Sequence, residues 1–141
     1  MARVEIDIPE HFSFSVELPI LISHINRGDH LGNEHLIALL NEARVRFMDH
    51  QGVAEFQEQG YLFVVGDLAV IYKSEGKYGE TLCVEVAVQG FHKYGCDIVY
   101  RVTESVTGRL IALAKTAHLV FDASAGKAML IPEGIKAKLS R

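Results

Sequence analysis

One segment of this chain repeats with a helical period while nearly all the rest alternates, and that contrast restricts the folds open to it. Leu36, Leu39, Leu40, Ala43 and Phe47 recur at i, i+3, i+4, i+7 and i+11, which places them on a single face of one long helix. Elsewhere the apolar residues follow a period of two. Phe12 to Leu18 alternates; Leu82, Val84, Val86 and Val88 alternate with Cys83, Glu85, Ala87 and Gln89; Ile98, Tyr100 and Val102 alternate again. Leu62 to Glu75 and Leu110 to Phe121 read as longer strands, with turns at Gly76 to Gly79, Tyr94-Gly95, Thr107-Gly108 and Ser124 to Gly126. Pro19 ends the first strand, and Ile20 to Ile25 is expected to continue after a bend or along an edge. Asn33 is the expected helix N-cap and Gly52 its stop. A short helical or irregular piece, Val53 to Gln59, follows, and the tail after Pro132 is of the same kind. The order is thus a strand, one helix, then four strands in a meander. That predicts an α+β domain over residues 1–141 in which a strongly curved antiparallel sheet of about five strands wraps the helix. A sheet of this kind has edges, so a homodimer with a continuous sheet, and possible pairing of dimers into a tetramer, is expected.

The chain's 141 residues and 49% hydrophobic content suffice for one core. A net charge of −4, with scattered Lys and Arg, argues against a nucleic-acid partner, which calls for a basic face. No basic segment followed by an apolar run opens MARVEIDIPE, and the most apolar window, Leu62 to Tyr72, is interrupted by Asp67 and too short to span a bilayer as a helix. No secretory signal or membrane association is expected, and a cytoplasmic location fits. Cys83 and Cys96 lack C-x-x-C spacing and read as buried free thiols.

Polar chemistry concentrates where the helix begins. His24 to Leu36 reads HINRGDHLGNEHL, with three histidines, two carboxylates, two asparagines and two glycines. His24, Asp29, His30 and His35 are metal-ligand types, but their spacing across strand, loop and helix start matches no established zinc pattern, so no metal is expected. His118 alternates with apolar residues and reads as a hydrogen-bonded sheet residue.

The segment also carries a family likeness. Asp29-His30-Leu31-Gly32-Asn33 stands where a Gly-His-Val-Asn-Asn loop would be, and Glu42-Ala43-Arg44 matches a Glu-Ala-Arg triplet on the following helix. Tyr72, the turn Tyr78-Gly79-Glu80-Thr81-Leu82 and Ile131-Pro132 add to the pattern. The chain therefore resembles the hotdog-fold acyl-CoA thioesterases of the 4-hydroxybenzoyl-CoA thioesterase-like group, over roughly Leu18 to Leu139. The resemblance implies hydrolysis of an acyl-CoA or acyl-carrier-protein thioester, with coenzyme A as part of the substrate and no separate cofactor. It also implies an aspartate four residues before the His, and this chain has Asn26 there. An amide takes no proton at neutral pH. A non-catalytic acyl-thioester-binding protein that has lost its base is therefore the alternative, and a dehydratase is the weaker third.

Thioester hydrolysis needs an activated water or nucleophile, and donors aimed at the oxygen that becomes negative. The backbone N–H groups near Leu31, Gly32 and Asn33 are the expected donors, since amides at a helix start lack partners and carry the positive dipole end. Gly32 gives the backbone close access to a carbonyl. The candidate bases are Asp29, three residues beyond the aligned position, and Glu42, which shares a helical stripe with His35, Leu39 and Arg46; for Glu42 an ion pair with Arg46 is the competing reading. Glu34 reads as a favourable charge at the dipole's positive end. His30 is a candidate for orienting water or the carbonyl, Asn26 for positioning water, and His35 for lining the acyl site. Lys93, between Phe91 and Tyr94 in a strand connection, is a candidate for meeting coenzyme A phosphates.

Overall fold

The computed structural model describes residues 2–141. Strand β1 (Phe14–Pro19) leads through a 3-10 turn at Ile22–His24 to helix α1 (Asn33–His50) and the short helix α2 (Ala54–Glu58). Strands β2 (Tyr61–Tyr72), β3 (Thr81–His92), β4 (Gly95–Glu104) and β5 (Leu110–Asp122) follow. A two-residue strand β6 (Lys127–Ala128) and helix α3 (Glu133–Leu139) close the chain.

All pairings are antiparallel, in the order β1-β3-β4-β5-β2, with β6 on β5. The expected four-strand meander is thus only partly present. β3, β4 and β5 form it, while β2 pairs with β5 and the link 73–80 carries the chain across to β3. The physical reason is that α1 fills the concave side of the sheet, leaving the strands before and after it on opposite edges.

The helical stripe behaves as its spacing dictates. Leu36, Leu39, Leu40, Ala43 and Phe47 are the buried residues of α1, and they meet the inward side chains Leu82, Val84 and Val86 of β3 and Ile98, Tyr100 and Val102 of β4, all fully buried. Burial of each large side chain contributes about 1.5–3 kcal/mol. Phe47 also meets Phe14 of β1 edge to face, with ring centroids 5.5 Å apart.

Three local expectations are corrected. Ile20 to Ile25 is not strand, because the His24 ring accepts the Leu21 amide through Nδ1 at 2.9 Å and closes a turn. Helix α1 begins at Asn33 with Gly32 as its N-cap, one residue earlier than expected, and the Asn33 side-chain oxygen accepts from the Glu34 amide at 3.0 Å. β2 ends at Tyr72, three residues short of Glu75. Gly52 follows the helix end with φ 76°, a left-handed conformation that favours glycine. Both cysteines are free; Cys96 is buried, which pushes its thiol pKa up to about 12, and Cys83 is half-buried. No helix among the described residues is long and apolar enough to cross a membrane.

Candidate active site

The tip of α1 opens onto a cleft of about 330 Å³ whose walls include His30, Asn33, Tyr72, Ser74, Glu75 and Gly76. Two segments far apart in sequence build it. Leu31 donates its amide to the Gly76 carbonyl at 2.8 Å, which pins the 26–32 loop against the link 73–80. Gly76 eases that approach, since a Cβ there would sit 2.8 Å from the tip of the Ile20 side chain and 3.2 Å from Leu31, and those side chains would have to shift. The Tyr72 hydroxyl donates to the Asn33 carbonyl at 3.2 Å and ties the end of β2 to the helix tip. Arg109 straps the link from below, donating to Ser74 Oγ, the Glu75 carbonyl and a Glu80 carboxylate oxygen.

The amide donors at the tip are fewer than expected. The Leu31 amide is taken by Gly76, and the Gly32 amide by the His24 carbonyl at 3.0 Å. Of the amides at this tip, those of Asn33 and His35 are left without a hydrogen-bond partner among the described residues, and Asn33 lines the cleft. The dipole of an 18-residue helix adds to the pull on an anion there.

The polar side chains divide into two sets. His30 lines the cleft; its Nδ1 lies 3.1 Å from the Leu31 carbonyl, which can only accept, so this nitrogen carries the proton and Nε2 of the neutral ring is a bare acceptor. That Nε2 lies 3.7 Å from a carboxylate oxygen of Glu75. Glu75 in turn takes the Lys77 ammonium at 3.0 Å, and this partner, with His30 as a smaller influence, holds its carboxyl below the usual carboxylate range. Glu75 is therefore ionised near neutral pH. It was not among the sequence candidates, and the one signal for it was a carboxylate ending the apolar run at Leu62 to Glu75, next to a glycine.

The other sequence candidates stand outside this pair. Asn26 is exposed, and its side-chain oxygen accepts the Gly28 amide at 2.9 Å in a tight turn. Asp29 is exposed at φ 63°, the αL conformation that aspartate tolerates, and it does not line the cleft. Glu42 pairs with Arg46 at 2.7 Å on the outer face of α1. His35 lies beside His24, ring centroids 5.9 Å apart, and 3.3 Å from Glu34. Lys93 sits in the β3–β4 turn, at the end of β3 opposite the link 73–80. Lys73 lines the cleft instead. Among the described residues, no three His, Cys, Asp or Glu side chains gather as a metal ion would require.

Comparison with known proteins agrees with this architecture. A family model described as the thioesterase-like superfamily matches residues 20–139. No curated protein matches the chain by sequence. Among solved structures, the hypothetical protein TT1821 of Thermus thermophilus superposes with a TM-score of 0.81 at 22% identity, over 89% of this chain and 95% of its own. Slr0204, a 1,4-dihydroxy-2-naphthoyl-CoA thioesterase from Synechocystis, gives 0.81 at 12% identity, over 89% and 94%. A second Thermus thermophilus protein, a thioesterase in complex with coenzyme A and zinc, gives 0.79 at 21% identity, over 93% and 95%. At these identities the likeness establishes the shared hotdog fold.

Proposed function

This chain belongs to the thioesterase-like superfamily, and on that premise we propose that it hydrolyses an acyl-CoA or acyl-carrier-protein thioester to the free acid and thiol. The observation that carries the reading is the pair His30 Nε2 and Glu75 facing each other at 3.7 Å in the cleft at the helix tip. Both are acceptors when His30 is neutral. Two acceptors at that separation are satisfied together by one water, which donates a proton to each and keeps its lone pairs for attack. Glu75 or His30 then takes the proton as the water oxygen bonds to the thioester carbon. The Asn33 amide and the helix dipole stabilise the oxyanion that forms. As the C–S bond breaks, the proton passes to the departing thiolate. Lys73, which lines the cleft, is the candidate cation for the phosphates of coenzyme A.

The test is a panel of acyl-CoAs with the released thiol followed by a chromogenic reagent. Turnover is expected in the native protein, and Glu75→Gln is expected to lower kcat by roughly a hundred- to ten-thousand-fold. Asp29→Asn and Glu42→Gln are expected to have far smaller effects. Absence of turnover on every substrate would remove the reading, and calorimetric binding without turnover would instead make the chain an acyl-thioester-binding protein.

A further inference from the structure

Sheet and helix enclose a second polar group that hydrolysis at the helix tip does not use. On the inner face of β5, His118 is 1% exposed. Its Nε2 lies 2.8 Å from Thr116 Oγ1, Thr116 Oγ1 lies 2.7 Å from the Tyr100 hydroxyl, and the Tyr100 hydroxyl accepts from the Arg44 guanidinium at 3.1 Å. Arg44 can only donate, so Tyr100 accepts from it, and the arrangement that gives every hydroxyl proton an acceptor has Tyr100 donate to Thr116. Thr116 then spends its proton on His118 Nε2. The histidine is therefore the tautomer with its proton on Nδ1. That nitrogen is the one buried side-chain polar atom without a hydrogen-bond partner among the described residues. A buried donor left unpaired keeps the full cost of its lost hydration.

His118 also lies at the wall of a groove. Between α1 and β2 run two adjoining hollows of about 370 and 260 Å³, which share Asn41, Arg44 and Val65. The first begins at Glu34, beside the helix tip, and the second is lined by His118. From Asn33 to Arg44 the helix rises roughly 16 Å, the reach of a medium-to-long acyl chain whose carbonyl rests at the tip. The groove walls are largely apolar along that path, with Ile37, Ala38, Val65 and Leu68. Its far end differs. Arg44 lines both hollows, and among the described residues no carboxylate lies within ion-pairing distance of it. Asp49, exposed on α1, also borders the far hollow.

We propose that the α1–β2 groove is the acyl channel and that His118 Nδ1–H, beside the Arg44 guanidinium, is a specificity site for an acyl group carrying an oxygen acceptor at its distal end. This rests on the thioester reading above and names its substrate class. A plain alkyl end leaves the donor unpaired, whereas a distal hydroxyl or carboxylate oxygen completes the relay that starts at Arg44.

The experiment measures Kd by calorimetry and kcat/KM by thiol release for dodecanoyl-CoA, ω-hydroxydodecanoyl-CoA and the mono-CoA thioester of dodecanedioic acid. At least one oxygenated ligand is expected to bind roughly ten-fold tighter than the plain one, and the two oxygenated arms separate hydroxyl from carboxylate. His118→Leu is expected to bring the ratio near unity. His118→Asn, which restores a donor near the Nδ1 position, is expected to recover part of it. In the native protein, the nitrogen resonance of His118 Nδ1 is expected to move with the oxygenated ligand and not with the plain one, which keeps the test valid if a variant fails to fold. Equal affinities with an unmoved resonance would overturn the proposal and leave the site to an ordered water. Because affinity is measured apart from turnover, a protein that prefers oxygenated ligands yet hydrolyses none would refute the hydrolase and keep the site.

Discussion

At His118 the burden of burial falls on the charged form. Desolvation and then the Arg44 charge lower its pKa from 6.5 to about 4, while Asp67 opposes them weakly. The unfolded chain therefore binds a proton that the folded one refuses over that interval. Stability contributed by the neutral ring is complete above the unfolded value and is lost as pH falls toward the folded one, a difference on the order of 3 kcal/mol. Urea unfolding of native protein and His118→Leu, near neutrality and at about pH 5, checks the sign. The native protein should lose more stability on acidification than the variant, and an equal loss would mean that the ring is not held neutral. The sequence showed a sheet histidine here, and that much holds. Its unpaired nitrogen was hidden because the tautomer is set by Arg44 on a helix and Tyr100 on another strand. Glu75 was hidden for the same reason: its partner His30 reaches it only through the Leu31–Gly76 hydrogen bond, and no spacing in the sequence encodes that contact. Asn26, conspicuous by alignment, turned out to hold a turn.

Helix α1 was legible because its signal is local. Five apolar residues at helical spacing can bury together in only one way, and the five are the buried residues of the element. Strand identities were legible for the same reason, but strand neighbours were not, because alternation records which side chains face inward and says nothing about which edge is adjacent. The 3-10 turn at Ile22–His24 was missed because it depends on one ring nitrogen catching one amide. The consequence for stability is concentrated in the helix. Phe47 is 2% exposed on the inner face of α1, against Phe14 of β1, so Phe47→Ala should cost about 3–5 kcal/mol through lost transfer energy and the cavity left behind. Denaturant titration measures it. A loss under about 1 kcal/mol would mean that the helix settles onto the sheet and refills the space, and the α1–β2 groove would then be a soft feature of the molecule and not a fixed one.

The whole molecule ends in two unlike edges. β1 is six residues long and finishes in Pro19, which cannot donate to a ladder. β2 is twelve residues long, contains no proline, and exposes Leu62, Val64, Val65 and Leu68 at 37–43%. An unpaired apolar edge of that length is a template for another strand, and the symmetric way to cover it is antiparallel pairing of β2 with β2 of a second copy. Such a dimer would also close the outer side of the α1–β2 groove, since Val65 and Leu68 form that wall. The native protein should therefore run at twice its chain mass in light scattering at micromolar concentration. Replacing both Leu62 and Val64 by Lys should shift it toward the single chain, because charges on an edge repel a matching edge. If the native protein scatters as a single chain, the edge is left open, the groove is roofed by solvent, and any long acyl chain lying in it must be weakly held. Dimerisation and affinity for long acyl chains should therefore fall together in the double-lysine variant, and a variant that is monomeric yet binds dodecanoyl-CoA as the native protein does would separate the channel from the edge.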